Sequence, residues 1–262
     1  MRMVNESIDS GKEFDWGRAS EDYARYRDIY PHEFYEKLLS KGLCRKNQRI
    51  LDIGTGTGVL PRNLSKFGGE FTGVDISENQ IKYAKLLTEK AGLDIDYYVC
   101  SAEQLPFEDK SFDVVTACQC FYYFDEKRLF PEIHRILEKD GHFLILFMEW
   151  LYYESDIVRK SVEIINKYNP LWSGSEHKDT VYPIPPSANG LFKVLSNETF
   201  PVNITFTREK WNGRMKCCRG VGAEMPPETV KRWEREHLQY LSSLPESFSI
   251  PHHIVVADLL KI

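Results

Sequence analysis

A glycine-rich segment and one downstream acid stand at the spacing of a nucleotide-binding turn. The segment spans residues 51–58 and reads LDIGTGTG, between a short β-type run and a helical stretch. Alternating glycines let the backbone approach a ligand closely, and the N-terminus of the following helix favours a negative group. Asp75 ends the next β-type run. A separation of about 20 residues suits a carboxylate that accepts both hydroxyls of an adenosine ribose.

The same residues discriminate between adenosine-containing ligands. The dinucleotide fingerprint G-x-G-x-x-G would require glycine at position 59, where this chain has Val59. Asp52 lies inside the turn, where its carboxylate would repel a pyrophosphate but attract an ammonium group. A ligand with a ribose, an amino group and a carboxylate therefore fits better than a nicotinamide dinucleotide. A tight turn without any ligand stays the alternative.

These residues need a sheet that brings strand ends together. In the first half of the chain, helical patterns alternate with β-type runs at residues 49–53, 71–76, 95–100, 112–117 and 143–148. Such alternation indicates βαβ units and therefore an α/β fold with a largely parallel, doubly wound sheet. Ligands of these sheets bind outside the carboxyl ends of the strands, near the point where strand order reverses.

The pattern changes after Trp150. Residues 169–189 are rich in Pro, Ser and Gly but also carry aromatic residues, which favours an irregular lid over a plain linker. We therefore predict that residues 1–150 form an N-terminal cap and a ligand-binding, Rossmann-like part. Residues 151–201 are predicted to be a lid insertion, and residues 202–262 to supply the final strands and helices of the same domain.

Composition argues against several classes of partner. The 262-residue chain has a formal net charge of −5 with scattered Lys and Arg, which is not the footprint of a nucleic-acid binder. The longest apolar run, residues 141–150, is shorter than the roughly 20 residues that span a bilayer. The N-terminus lacks the apolar region of a secretory signal. We expect a cytoplasmic protein with reduced cysteines, no metal, and no nucleic-acid or membrane partner. The sequence leaves the oligomeric state open.

Four segments between residues 23 and 148 follow the order of class I S-adenosylmethionine-dependent methyltransferases. They read LDIGTGTG, VDIS, SAEQLPFEDKSFDVV and EKDGHFLIL. Within that superfamily, residues 119–125 (QCFYYFD) resemble the QAFHWFD segment of type 11 members related to trans-aconitate methyltransferases. Residues 23–31 resemble their N-terminal YxxYRxxYP segment. Tyr122 and Tyr123 replace the usual His and Trp, so the resemblance does not carry over a substrate.

The resemblance implies a Rossmann-like, seven-stranded sheet that is mostly parallel with an antiparallel last strand. It also implies S-adenosylmethionine as cofactor and S-adenosylhomocysteine as product. Asp52 is implied to lie near the ammonium group and Asp75 to hold the ribose. The other implied cofactor residues are Gly54, Gly56, Gly58, Ile76, Ser101, Ala102, Glu103, Gln119, Tyr23 and Arg27.

Some of these implied roles have structural alternatives. Ser101 stands in the adenine region where many members carry Asp, so a side-chain contact to the adenine would be weaker or supplied differently. Tyr23 and Arg27 would close over the cofactor from the N-terminal segment. Ordinary helix packing and a surface ion pair are the alternative for these two residues.

The acceptor pocket is expected to form from the loops after the fourth and fifth strands, the N-terminal segment and the lid. Candidate catalytic residues are Tyr122, Glu149 and His253. Candidate substrate-binding residues are Tyr123, Trp150, Trp172, Trp211, Arg214 and Arg219. Core packing of the tyrosines, a helix cap at Glu149 and a core histidine are the structural alternatives.

The segment from Trp211 to Gly220 interleaves cations with aromatic and glycine residues in a mostly acidic chain. A guanidinium group here would grip a carboxylate on the acceptor through two hydrogen bonds. A solvated basic helix face is the alternative.

We therefore predict methyl transfer to a small molecule, with a small carboxylic acid favoured as the acceptor. Alignment of the reacting atoms is the main source of rate in such a displacement, so no fixed catalytic triad is required. A general base is needed only if the acceptor carries a proton. The alternatives are an RNA-modifying methyltransferase, a non-catalytic adenosylmethionine-binding module, and an NAD-linked oxidoreductase. The sequence leaves the acceptor atom open.

Overall fold

The computed structural model describes residues 3–6, 8–174 and 182–262. Within these ranges the chain forms a mixed sheet flanked by helices. Its strands are β1 (Arg49–Ile53), β2 (Glu70–Asp75), β3 (Asp96–Val99), β4 (Phe112–Cys118), β5 (Leu137–Trp150), β6 (Phe192–Thr207) and β7 (Ser247–Lys261). The strand order is β3-β2-β1-β4-β5-β7-β6. The predicted α/β, Rossmann-like sheet, mostly parallel with antiparallel strands at the end, is confirmed.

The strand order reverses beside β1. This strand pairs in parallel with β2 on one side and with β4 on the other. Asp52 stands opposite Gly73 of β2 and opposite Thr116 of β4. The carboxyl ends of β1 and β4 therefore adjoin at the place where ligands of doubly wound sheets bind.

The helices follow the predicted alternation. The described α-helices are α1 (Ser20–Tyr26), α2 (His32–Ser40), α3 (Val59–Leu64), α4 (Glu78–Lys90), α5 (Glu126–Ile136), α6 (Asp156–Tyr168), α7 (Arg208–Lys216) and α8 (Pro227–Leu241). Ser77 caps α4, since its side chain accepts a hydrogen bond from the Gln80 amide. None of these helices is both long and apolar enough to cross a membrane.

Strands in the second half of the chain are longer than the sequence pattern predicted. β5 was predicted to begin at Phe143, but it begins at Leu137 and continues through Asp140, whose φ of 60° accommodates an irregular register with β4. β6 was predicted from Val202, whereas it begins at Phe192. Part of the predicted lid, residues 175–181, lies outside the described residues.

Residue contacts divide the chain into two compact units. Unit 1 comprises Met1–Ile29, Glu149–Lys178 and Pro201–His253, and unit 2 comprises Tyr30–Met148, Asp179–Phe200 and Ile254–Ile262. The core of unit 2 includes Leu51, Val115 and Ile145, which are fully buried. In unit 1, Trp211 and Trp233 are among the largest fully buried side chains.

Candidate cofactor and acceptor sites

The turn after β1 requires glycine at several positions. Gly54, Gly56 and Gly58 have φ angles of 60°, 55° and 73°, in the left-handed region that favours glycine. A Cβ at Gly54 would lie 2.8 Å from the Cys120 sulfur, and one at Gly58 would overlap the Tyr97 hydroxyl. Glycine is therefore required at Gly54 and Gly58, because Cys120 and Tyr97 occupy the space that a side chain would need.

Asp75 ends β2 and organises this turn. Its Oδ2 accepts a hydrogen bond from the Gly56 amide at 2.9 Å, and its Oδ1 accepts one from the Ser77 amide at 2.8 Å. Burial raises the pKa of this carboxyl, and the two backbone hydrogen bonds oppose that rise. A carboxylate has about four lone-pair sites, so further acceptor capacity remains for a pair of ribose hydroxyls.

Asp52 is a buried acid that lacks a described cationic partner. It is 2% exposed and accepts a hydrogen bond from the Thr116 hydroxyl at 2.6 Å. Burial raises its pKa to about 7, although the bond from Thr116 opposes that rise. Within the described ranges, no Lys or Arg forms an ion pair with this carboxyl. The ammonium group of an amino-acid ligand would supply the missing positive charge.

The residues predicted to bind adenine, Ser101 to Glu103, lie in the loop after β3 and are hydrogen-bonded to one another and to α5. The Ser101 hydroxyl donates to Glu103 Oε2, and Glu103 Oε1 accepts from the Asp125 amide at 3.1 Å. Ala102 between them is buried. Glu103 thus ties this loop to the start of α5. The Ser101 hydroxyl is engaged within the loop.

Gln119 adopts a strained conformation directly after β4. Its φ of 63° lies in the left-handed region, which is uncommon for a residue with a side chain. The Gln119 amide donates to the Leu146 carbonyl at 2.9 Å, and its side-chain nitrogen donates to the Met148 carbonyl at 2.7 Å. Strain of this kind concentrates at ligand-binding positions.

The two tyrosines of the 119–125 segment belong to an aromatic cluster in unit 2. The ring of Tyr122 lies 4.4 Å from that of Tyr123 and stacks on Phe147 at 5.8 Å. Tyr182 stacks on Phe147 at 4.8 Å. Both predicted tyrosines are half-buried. Core packing therefore explains part of their environment.

Tyr23 and Arg27 form a cation–aromatic pair in unit 1. The guanidinium carbon of Arg27 lies 4.9 Å from the centre of the Tyr23 ring. Arg27 is 8% exposed. Arg27 is therefore a buried cation beside an aromatic ring and does not lie on the surface.

The basic segment predicted after Trp211 is buried, so the alternative of a solvated basic face is wrong. Arg214 is 5% exposed, and its guanidinium carbon lies 4.8 Å from the centre of the Trp150 ring. Trp211 is fully buried, packs edge-on against Trp150 at 6.1 Å and donates its indole N–H to Ser161 at 3.0 Å. Trp211 is therefore part of the packed interior that supports Arg214 and Trp150.

Arg219 and Trp172 have partners within their own unit. Arg219 donates to Asp9 Oδ1 at 3.0 Å, and its Nε lies 3.2 Å from Glu224 Oε1. Its guanidinium is therefore engaged by carboxylates of the chain, which leaves Arg214 as the better-placed candidate to grip an acceptor. Trp172 is 5% exposed and packs on the backbone of Gly220. A side chain at position 220 would overlap its ring.

The adjacent histidines of β7, His252 and His253, differ in burial, as side-chain alternation along a strand requires. His252 is fully buried, and its Nδ1 lies 2.9 Å from the Ile250 carbonyl. Burial lowers the pKa of His252 to about 4. His253 is half-buried, as is Glu149 near the end of β5. The structure places both in unit 1, whereas the third catalytic candidate, Tyr122, belongs to unit 2.

Sequence reasoning missed the residues that support the turn. Thr116 binds Asp52, Tyr97 covers Gly58 and Cys120 covers Gly54. Thr116 could have been found only through the register that sets it opposite Asp52. Sequence reasoning also missed Asp9, the main partner of Arg219.

Comparison with known proteins agrees with this geometry. Residues 51–145 match the sequence profile of the methyltransferase domain family, type 11. The chain is 33% identical over 111 residues to the uncharacterized methyltransferase YcgJ of Bacillus subtilis, covering 42% of this chain and 44% of that protein. It is 34% identical over 106 residues to the ubiquinone biosynthesis O-methyltransferase of Pelagibacter ubique, covering 40% and 44%. The chain thus spans less than half the length of these curated relatives.

A solved structure extends the likeness in fold beyond the matched segment. The crystal structure of Bacillus subtilis YcgJ superposes with a TM-score of 0.53 at 20% identity, over 88% of this chain and 99% of that one. The glycine turn, Asp52 and Asp75 all fall in or beside the segment that matches the family. The match over residues 51–145 therefore supports a class I S-adenosylmethionine-dependent methyltransferase of type 11.

Proposed function

We propose that this protein transfers the methyl group of S-adenosylmethionine to a small molecule. The observation that carries the proposal is the joint placement of a left-handed glycine turn, Asp75 hydrogen-bonded to that turn, and buried Asp52 without a described cationic partner. The turn suits close approach of a ligand to the backbone. Asp75 suits a ribose, and Asp52 suits an ammonium group. When bound, S-adenosylmethionine supplies a methyl group on a positively charged sulfur, open to displacement by a nucleophile.

The residues of the chain mainly hold and orient the reactants. Asp75 would accept the ribose hydroxyls while keeping its bonds to the turn. Asp52, with a pKa of about 7, would become fully ionised beside an ammonium group, because a nearby positive charge favours the carboxylate. Gln119 would face the methionine end from its fixed position after β4. Accurate alignment of this kind is the main source of rate in methyl transfer.

The remaining cofactor residues keep the roles that the resemblance implies. Ile76 follows Asp75, and Ser101, Ala102 and Glu103 would border the adenine. The guanidinium group of Arg27 lies over the ring of Tyr23. We expect its charge to serve an anionic group of either the cofactor or the acceptor.

For the acceptor, we propose a small carboxylic acid. The support is Arg214, a buried cation on the face of Trp150. The relative from Pelagibacter ubique is named a ubiquinone biosynthesis O-methyltransferase, which favours an acceptor oxygen on a small organic molecule. Tyr122, Tyr123, Glu149 and His253 stay proposed contacts to the acceptor.

Calorimetry with S-adenosylmethionine and, separately, S-adenosylhomocysteine tests the proposal. We expect micromolar binding of both to the wild-type protein. The variant Asp75→Ala should bind both more weakly, whereas Asp94→Asn, which removes an exposed acid, should bind like the wild type. Transfer of an isotopically labelled methyl group to a panel of small carboxylic acids then tests the reaction. Absence of binding by the folded wild-type protein would refute the proposed function.

A further inference from the structure

Arg214 is a buried cation without a described counter-ion. It lies on α7 and is 5% exposed. Across the described ranges it forms no ion pair, and its Nε has no hydrogen-bond acceptor. Its described polar contact is weak, from Nη1 to the Cys218 sulfur at 3.4 Å. Burial lowers the pKa of this guanidinium, and the charge of Arg27 lowers it further.

The surroundings of Arg214 supply more donors and more positive charge. Trp150, whose ring it covers, is 6% exposed, and its indole N–H has no acceptor among the residues that the structure describes. The charges of Arg214 and Arg27 both act to lower the pKa of buried His252. The groups whose charges act on Arg214 are another arginine, two cysteines and a tyrosine. No carboxylate is among these groups, so the charges that act on Arg214 favour an anionic ligand.

The position of Arg214 is fixed by a well-bonded helix. Trp211 donates to Ser161, and the same hydroxyl lies 3.0 Å from His237 Nε2. His237 Nδ1 lies 2.8 Å from the Asn212 side-chain oxygen. Gly213 faces the Tyr26 ring so closely that any Cβ would overlap it, which holds α7 against α1. A donor on so constrained a helix is preorganised for a ligand.

Arg219 shows how this chain treats a buried arginine that has a structural role. It is 7% exposed, close to the value for Arg214, but it is bound by the carboxylates of Asp9 and Glu224. Leaving a buried charge without a partner strongly disfavours the folded state. Among the described residues, two acids bind Arg219 and none binds Arg214, which supports a role for Arg214 in binding an acid from outside the chain.

We propose that Arg214 and the indole N–H of Trp150 form a subsite that binds a carboxylate of the acceptor. This inference rests on the proposed function and identifies which group of the acceptor is recognised. The planar guanidinium fork matches a carboxylate through two hydrogen bonds. The neighbouring charge of Arg27 strengthens the attraction for an anion. The subsite thereby selects acids over their neutral amides or esters.

The test measures carboxylate binding to the full chain saturated with S-adenosylhomocysteine. Acetate and benzoate are titrated by calorimetry, with acetamide and benzamide as uncharged counterparts of similar shape. The variants are Arg214→Met, Arg214→Lys, and Lys210→Met, which removes an exposed cation from the same helix. Should Arg214→Met not fold, Arg214→Lys carries the comparison, because it keeps the charge and loses the fork.

We expect the wild type to bind at least one of the acids roughly tenfold more tightly than its amide. Arg214→Met should lose this preference, Arg214→Lys should reduce it, and Lys210→Met should retain it. Affinity for S-adenosylhomocysteine should stay unchanged in all of them.

Several results would overturn the inference. Equal binding of acids and amides, no binding of either acid, or a full preference in Arg214→Met would each do so. Weaker S-adenosylhomocysteine binding by Arg214→Met would instead assign Arg214 to the cofactor. Tighter binding of inorganic phosphate than of either acid would exclude the carboxylate. If the wild type does not bind S-adenosylhomocysteine, the proposed function fails, and the same titrations without it still test the subsite.

Discussion

Arg214 and Arg219 are equally buried arginines of unit 1 with opposite surroundings. Arg219 is held by Asp9 and Glu224, and those acids are further bound by neighbouring polar groups: the Ser173 hydroxyl donates to Asp9 at 2.8 Å and the Asn169 amide to Glu224 at 2.6 Å. Arg214 has an aromatic face and a sulfur instead. The difference separates a charge that the chain neutralises for its own stability from one that is kept for a ligand.

The same contrast applies to buried acids. Asp9 has its pKa held well below its usual range by Arg219, despite its burial. Asp52 of unit 2, which has a hydroxyl donor and no described cation, has its pKa raised by burial to about 7. Among the described residues, we infer that Asp52 and Arg214 are places where folding leaves a charge for the cofactor or the acceptor to neutralise.

Removal of Arg219 should produce the largest effect. Arg219→Met leaves buried Asp9 without its cation and Glu224 with only Lys12, 3.6 Å away. Breaking a buried ion pair in this way destabilises a fold by roughly 3–5 kcal/mol. Urea unfolding measures the change. The matched control is Arg25→Met, which removes an exposed pair with Glu209 and should change stability by less than about 1 kcal/mol. Similar losses in the two variants would show that the Arg219 cluster is not a stabilising network.

Asp52→Asn should stabilise the cofactor-free protein, increasingly so as pH rises. A carboxyl whose folded pKa is raised from 3.8 to about 7 contributes stability that is full below pH 4 and is lost as pH rises through 7. Between pH 5 and pH 8, the advantage of the variant over the wild type should therefore grow by about 2–3 kcal/mol. Urea unfolding at both pH values measures it.

Cofactor binding should offset the stability that the wild type loses when buried Asp52 ionises. The pH dependence of binding therefore supplies an independent check on Asp52. Because the ammonium group needs the ionised carboxylate, the wild type should bind S-adenosylhomocysteine roughly tenfold more tightly at pH 8 than at pH 6. Asp52→Asn should bind it weakly at both. An equal affinity of the wild type at the two pH values would contradict the ammonium role.

Asp75→Ala tests a buried acid whose described partners are backbone amides rather than a cation. Loss of charge-assisted hydrogen bonds to the ribose should weaken S-adenosylhomocysteine binding by about 1–3 kcal/mol. Calorimetry measures the loss. Unchanged affinity would refute the ribose role, and the exposed-site variant Asp94→Asn serves as its reference.

The sequence allowed the strands around the turn to be predicted closely. β1 to β4 begin and end within one residue of the predicted runs, because glycine breaks and apolar residues delimit them sharply. The early part of β6 was missed because its residues, FKVLSNETF, are mostly exposed or half-exposed and do not alternate between apolar and polar. Pro201 also interrupts the pattern. Edge strands of this kind carry a weak signal.

The site was predictable where local spacing defines it. Asp52 and Asp75 were identified from their positions on consecutive strands. The partners that decide their chemistry come from distant parts of the chain, such as Thr116 in the register opposite Asp52. The contrast between Arg214 and Arg219 was not predictable for the same reason: Asp9, which binds Arg219, precedes it by 210 residues.

Arg214→Met should have the smallest effect on stability. Whether it raises or lowers the free energy of unfolding shows whether Arg214 serves a ligand or the fold. Replacing a buried cation that has no described counter-ion with an apolar side chain of similar length removes a desolvation penalty. We expect unfolding in urea to require the same free energy as in the wild type or up to about 1 kcal/mol more. The identical substitution at Arg219 should be destabilising by several times that amount, so the pair forms its own control. A loss of more than about 2 kcal/mol in Arg214→Met would mean that the folded chain itself depends on this charge, and that Arg214, like Arg219, serves the fold rather than a ligand.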